Sequence, residues 1–208
     1  MAKRLGIMGG TFNPIHNGHL RVAEIAMREL KLDEVRFIPT GDSPHKQHVD
    51  MPGNIRLDMV TLAIKDMPGF TVSDIEIKRG GRSYTCDTLR QMRMAERDTD
   101  MFFIMGGDMM ATFTSWRNPD IIVRLAKLAA VSRPGDDNEH IDKVCRYLRM
   151  EYSADVYMLT ETGPDISSTD IRRRVQMGED ISELVPQDVA RYILDNGLYK
   201  ALETENDI

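Results

Sequence analysis

The sequence has little cysteine, little tryptophan, no excess of basic charge and no long apolar run, and each shortage excludes something. Its two cysteines, Cys86 and Cys145, stand far apart. They form neither a disulfide framework nor a zinc-ligand spacing, and they read as small buried hydrophobes in a reducing compartment. No apolar run approaches the roughly 20 residues that span a bilayer. The first apolar stretch, Leu5 to Met8, is too short for a secretory signal and runs into glycines. The expectation is a cytoplasmic protein with no membrane partner. A net charge of −6 lacks the basic surplus of a nucleic-acid binder, so no nucleic-acid partner is expected either. Absent too is Gly-x-x-x-x-Gly-Lys-Ser/Thr, which argues against P-loop kinases and GTPases. An intact Gly-x-Gly-x-x-Gly is also missing, which weakens a dehydrogenase reading.

What is present is an alternation of short apolar runs with helical stretches, in a chain of 208 residues that can build one domain with a real core. Strands are expected at Leu5 to Met8, Val35 to Ile38, Phe70 to Val72, Ile75 to Ile77, Met101 to Met105, Leu128 to Val131 and Val156 to Leu159. Helices are expected after Gly18, from Asn54 as N-cap, from Thr85 or Asp87 as N-cap, from Asn118-Pro119, over Ile141 to Met150, from Ser167, and over Val189 to Leu194 with a stop at Asn196-Gly197. This pattern predicts an α/β fold: a Rossmann-like parallel sheet with helices on both faces. One domain is expected over residues 1–202, helical from about 166 to 202, with a frayed tail at 203–208. The 15 methionines read as adaptable core filler.

The stretch with the strongest chemistry is Gly9-Gly10-Thr11-Phe12-Asn13-Pro14-Ile15-His16-Asn17-Gly18-His19-Leu20. It joins the first strand to the first helix, where parallel sheets place their ligands. Gly9 and Gly10 let the backbone approach a ligand closely, and Pro14 stiffens the loop. His16 and His19 can face one ligand at a helix start, whose unpaired N–H groups and dipole suit phosphate. A metal reading of His-x-x-His lacks a nearby cysteine or third clustered ligand, so no metal site is assigned. Further strand ends add Gly106-Gly107-Asp108 and Arg133, and the long loop from Thr40 to Gly53 holds His45, Lys46 and His48.

The run Gly10-x-Phe12-x-Pro14-x-His16-x-Gly18-His19 resembles the signature of the nucleotidylyltransferase superfamily. Four later stretches narrow the resemblance to the bacterial nicotinate-nucleotide adenylyltransferases: Pro44-His45-Lys46, Ser83-Tyr84-Thr85-x-Asp87-Thr88-Leu89, Ile166-Ser167-Ser168-Thr169-Asp170-Ile171-Arg172, and Val185-Pro186 through Asn196-Gly197-Leu198-Tyr199. In two places the chain departs from the family. Ser43 stands where a second proline is common, and Gly107 stands where alanine is usual; the latter reads as a mild change.

The resemblance implies adenylyl transfer from ATP to nicotinate mononucleotide, giving deamido-NAD and pyrophosphate. It implies catalytic roles for His16, His19, Lys46 and Arg172. It places ATP on Gly9, Gly10, Thr11, Phe12, Gly18, Asp108, Arg133, Ile166, Ser167 and Ser168. Nicotinate mononucleotide falls to Tyr84, Thr85 and Trp116. The attacking phosphate is already anionic, so no general base is needed; positioning and charge neutralisation suffice. Mg²⁺ is expected, held mainly through substrate phosphates and water. A transferase for another acceptor phosphate and a non-catalytic nucleotide sensor are the alternatives, and a homo-oligomer is left open.

Overall fold

The computed structural model describes residues 2–41 and 51–200. Lys46, with His45 and His48, lies outside the described residues, so its expected role is not placed in space. Six strands are described: β1 (Arg4–Gly10), β2 (Glu34–Pro39), β3 (Phe70–Val72), β4 (Asp100–Gly106), β5 (Lys127–Val131) and β6 (Val156–Met158). They form one parallel sheet in the order β3-β2-β1-β4-β5-β6. The order reverses between β1 and β4, and that reversal opens a crevice at the strand carboxyl ends.

Helices α1 (Asn17–Glu29), α2 (Gly53–Ile64), α8 (Ser168–Gln176) and α9 (Gln187–Asp195) pack on one face of the sheet. On the other face lie α4 (Thr85–Ala95), α5 (Gly107–Ala111), α6 (Pro119–Leu125) and α7 (Asn138–Tyr152). The alternation of β4 divides the core between them. Phe102 and Ile104 join the first cluster, and Met101, Phe103 and Met105 join the second. A strand buried on both faces reads as a continuous apolar run, which is why β4 is so plain in the sequence.

Three expectations are corrected. Ile75 to Ile77 is not a strand but one turn of helix, α3 (Ile75–Arg79), closed by Gly80 at φ 68. Apolar residues two apart suggest alternation, yet here the intervening Glu76 is the buried one, at 5% exposure. α2 starts two residues early, with Pro52 rather than Asn54 at its N-cap. Neither Thr85 nor Asp87 caps α4. Tyr84 occupies the N-cap and makes no side-chain cap bond.

Candidate active site

The loop between β1 and α1 carries a mutually packed pair of histidines. His16 stands at the N-cap in extended conformation, and its backbone N–H donates to His19 Nδ1 at 3.2 Å. The two rings stack at 3.6 Å, and Phe12 meets the His19 ring edge-on at 5.1 Å. A neutral His19 that accepts at Nδ1 carries its ring proton on Nε2. Gly18 is required by this stack, since a Cβ there would lie 2.9 Å from His16 Nδ1. Burial holds the His16 imidazole down at about 4, and the nearby Arg133 guanidinium adds to the effect. His16 is therefore a neutral group at physiological pH. Its Nδ1 is buried, with no hydrogen-bond partner within 3.5 Å among the described residues.

A cavity of about 770 Å³ opens beneath this loop along the crevice. Gly9, Gly10, Thr11, Phe12, Gly18 and both histidines line it, with Ile166 and Ser168 beside them. Asp108 and Arg133, from the ends of β4 and β5, meet there in an ion pair at 2.7 Å. Tyr84, Thr85 and Trp116 line it too, and Tyr84 and Trp116 pack against the core of the other sheet face. Trp116 leans on Phe113 at 5.3 Å and meets Phe103 edge-on at 6.0 Å. The structure thus brings together most of the residues the sequence singles out.

Two expected residues sit differently. Ser167 does not line the cavity: its hydroxyl caps α8 by accepting from the Asp170 N–H at 3.1 Å. Arg172 does not line it either. Its guanidinium donates to the Asn13 carbonyl at 2.7 Å, behind the loop. Gly107, where alanine is usual in the family, lies against Asp136. A Cβ at Gly107 would overlap the Asp136 carboxylate, which accepts from the Arg133 N–H at 2.7 Å. An alanine here requires the Asp136 carboxylate, the end of a flexible side chain, to shift aside.

Sequence reasoning missed four residues. Arg56 is 1% exposed and donates to the carbonyls of Met51, Thr11, Thr40 and Gly41. Glu76 lies under the cavity wall, accepting from Thr88 Oγ1 at 2.6 Å, and burial pushes its carboxyl up. Arg117 lines the cavity with its guanidinium 4.3 Å over the Tyr84 ring. Tyr199 donates to Asn13 Oδ1 at 2.6 Å. Tyr199 ends one of the stretches that carry the resemblance, and Arg56 left a signal in its periodicity. It falls on the buried stripe of α2 with Met59, Val60 and Ala63, at i, i+3, i+4 and i+7.

Comparison with known proteins agrees with this geometry. The cytidylyltransferase-like family model matches residues 7–174. A probable nicotinate-nucleotide adenylyltransferase of Clostridium botulinum is 40% identical over 199 residues, covering 95% of this chain and 98% of the relative. One from Citrifermentans bemidjiense is 43% identical over 211 residues, covering 94% and 98%. Among solved structures, the Plasmodium falciparum nicotinic acid mononucleotide adenylyltransferase complexed with NaAD superposes with a TM-score of 0.77 at 20% identity, covering 95% of this chain and 97% of that one. That likeness concerns the fold.

Proposed function

The chain belongs to the cytidylyltransferase-like family and, within it, to the nicotinate-nucleotide adenylyltransferases, and on that premise we propose that it transfers the adenylyl group of ATP to nicotinate mononucleotide. The mononucleotide phosphate attacks the ATP α-phosphate in line, the bond to the β,γ-diphosphate breaks, and deamido-NAD and pyrophosphate leave. The observation that carries the reading is a single cavity with two unlike sets of lining groups. One is the stacked His16–His19 pair with Arg133; the other is Trp116 with the Tyr84–Thr85 helix start. A polyphosphate suits the first set and a flat ring the second.

Attack by a phosphate oxygen requires no base, and a neutral His16 could not supply positive charge. The work falls to hydrogen bonds from the histidines and to the Arg133 cation, held in place before substrate arrives. Arg172 supports the loop from behind, and Lys46 is assigned to the leaving pyrophosphate. The adenosine ribose falls to Asp108. Among the described residues, the two carboxylates that reach the cavity wall are poor metal ligands: Asp108 is engaged by Arg133, and Glu76 is buried and bonded to Thr88. Mg²⁺ therefore fits as an ion carried on substrate phosphates, where it offsets their charge.

The test is pyrophosphate release from ATP against a panel of acceptor phosphates. Release with nicotinate mononucleotide, and little with phosphopantetheine or a sugar phosphate, is the expected outcome. Release only with another acceptor would overturn the assignment. ATP binding without release would leave a sensor.

A further inference from the structure

The family model ends at residue 174, yet the phosphate loop is tied to chain beyond that point. The Asn17 backbone N–H donates to the Leu184 carbonyl at 2.9 Å, and the Asn17 carboxamide donates to the Glu183 carbonyl at 3.0 Å. Tyr199, past the end of α9, donates its phenol proton to Asn13 Oδ1 at 2.6 Å. Tyr199 holds φ 62, a left-handed conformation that costs a non-glycine residue energy and persists where contacts impose it. Burial pushes its phenol well above the usual tyrosine value, so it is a neutral donor.

These ties complete a pattern. The Thr11 carbonyl is taken by Arg56 at 2.7 Å, the Asn13 carbonyl by Arg172 at 2.7 Å, and the Pro14 carbonyl by Ser168 at 2.9 Å. A loop beside a triphosphate must not turn carbonyl oxygens toward it, because like partial charges repel. Here the oxygens are committed to protein donors. Asn13 is the hinge of the set, held through its main chain by Arg172 and through its side chain by Tyr199.

We infer that the C-terminal segment beyond residue 174 is a positioning element for the phosphate loop, and that Tyr199 is its acting residue through Asn13. Tyr199 touches no substrate; it sets the loop that does. Misplacing a binding loop by about 1 Å costs up to about 100-fold in rate. The inference rests on the adenylyl-transfer reading for its activity assay but not for its binding assay.

The experiment compares wild type, Tyr199→Phe, Asn13→Ala and the double variant. It reads kcat with saturating substrates and, separately, the Kd of a non-hydrolysable methylene analogue of ATP. Expected is a fall in kcat, or a weakening of the analogue, of about tenfold in Tyr199→Phe, with the thermal midpoint held near wild type. The double variant should be no worse than Asn13→Ala alone, since both changes break one contact. Changes below about threefold in both readouts, or additive losses in the double variant, would overturn the inference. A wild type that binds the analogue but fails with nicotinate mononucleotide would count against the function and leave the binding comparison decisive. Should Tyr199→Phe bind with lost stoichiometry, a sign of unfolding, Asn17→Ala replaces it under the same thresholds, removing only the bond to Glu183.

Discussion

At the scale of single residues, His16 shows how a site can be built from a group kept out of its usual protonation range. The folded protein holds it at about 4 because the ring is buried beside Arg133, whereas an unfolded chain titrates near the ordinary value of about 6.5. The unfolded state thus binds a proton first as pH falls. Stability that is complete above about 6.5 is eroded as pH drops toward 4, by about 1.4 kcal/mol for each unit of the gap. His16→Asn removes that titration. Urea unfolding at pH 7, 5.5 and 4.5 should show wild type losing more stability than the variant over this range. Parallel curves for the two proteins would mean that His16 titrates normally in the fold. Burial and a cation determine this value, and neither is readable from a histidine's place in a motif. Glu76 was hidden for the same reason. Its sequence context, between two isoleucines, points it to solvent, and only the packing of Thr88 and Ser83 around it makes a buried carboxylate tolerable.

At the scale of the element, α8 carries Arg172, Arg173 and Arg174 in succession, and consecutive residues diverge by about 100° around a helix. The sequence cannot choose among them without resemblance. Packing does: Arg173 pairs with Asp170 and Glu179, Arg174 with Asp170, and Arg172 alone reaches Asn13. A charged hydrogen bond contributes about 1.5–3 kcal/mol, equivalent to roughly 10–150-fold. Steady-state kinetics on Arg172→Ala should show a kcat loss in that range, while Arg173→Ala stays within about twofold, as expected of an exposed pair. Equal losses would assign the effect to the charge of the whole helix. Elements were legible in proportion to their periodicity. Past their charged first residues, Asp100 and Lys127, β4 and β5 are apolar because both sheet faces are covered, so their runs stand out. A three-residue alternation such as Ile75-Glu76-Ile77 is too short to separate strand from helical turn. The neighbour of Gly107 was hidden for another reason: Asp136, whose carboxylate lies against it, is remote in sequence.

At the scale of the whole molecule, a chain with net charge −6 builds one crevice suited to two polyanions, and the crevice also has to choose its acceptor. The strand–helix alternation and the first motif made its position legible, because glycine loops and charged groups fall at strand carboxyl ends. The wall at α4 was legible only in outline. There the N–H groups of Asp87 and Thr88 both reach the Tyr84 carbonyl, so the first-turn donors left for a ligand are those of Thr85 and Cys86. Asp87, whose charge would oppose an anion, faces Arg90 at 3.2 Å instead. The Arg117 guanidinium over Tyr84 adds positive charge to the same wall. A nicotinate carboxylate accepts bonds from two such donors; a carboxamide offers one acceptor and turns an NH₂ toward the other. With bonds to a charged group contributing about 1.5–3 kcal/mol, the acid should exceed the amide in kcat/KM by roughly 10–150-fold. The Trp116 ring favours both bases alike, because stacking follows the ring and not its substituent. Measured on both mononucleotides, Trp116→Ala should lower the two values together and keep most of their ratio. A ratio near one in wild type would show that the α4 donors do not read the substituent, and a ratio that collapses only in the variant would move the choice from backbone to ring.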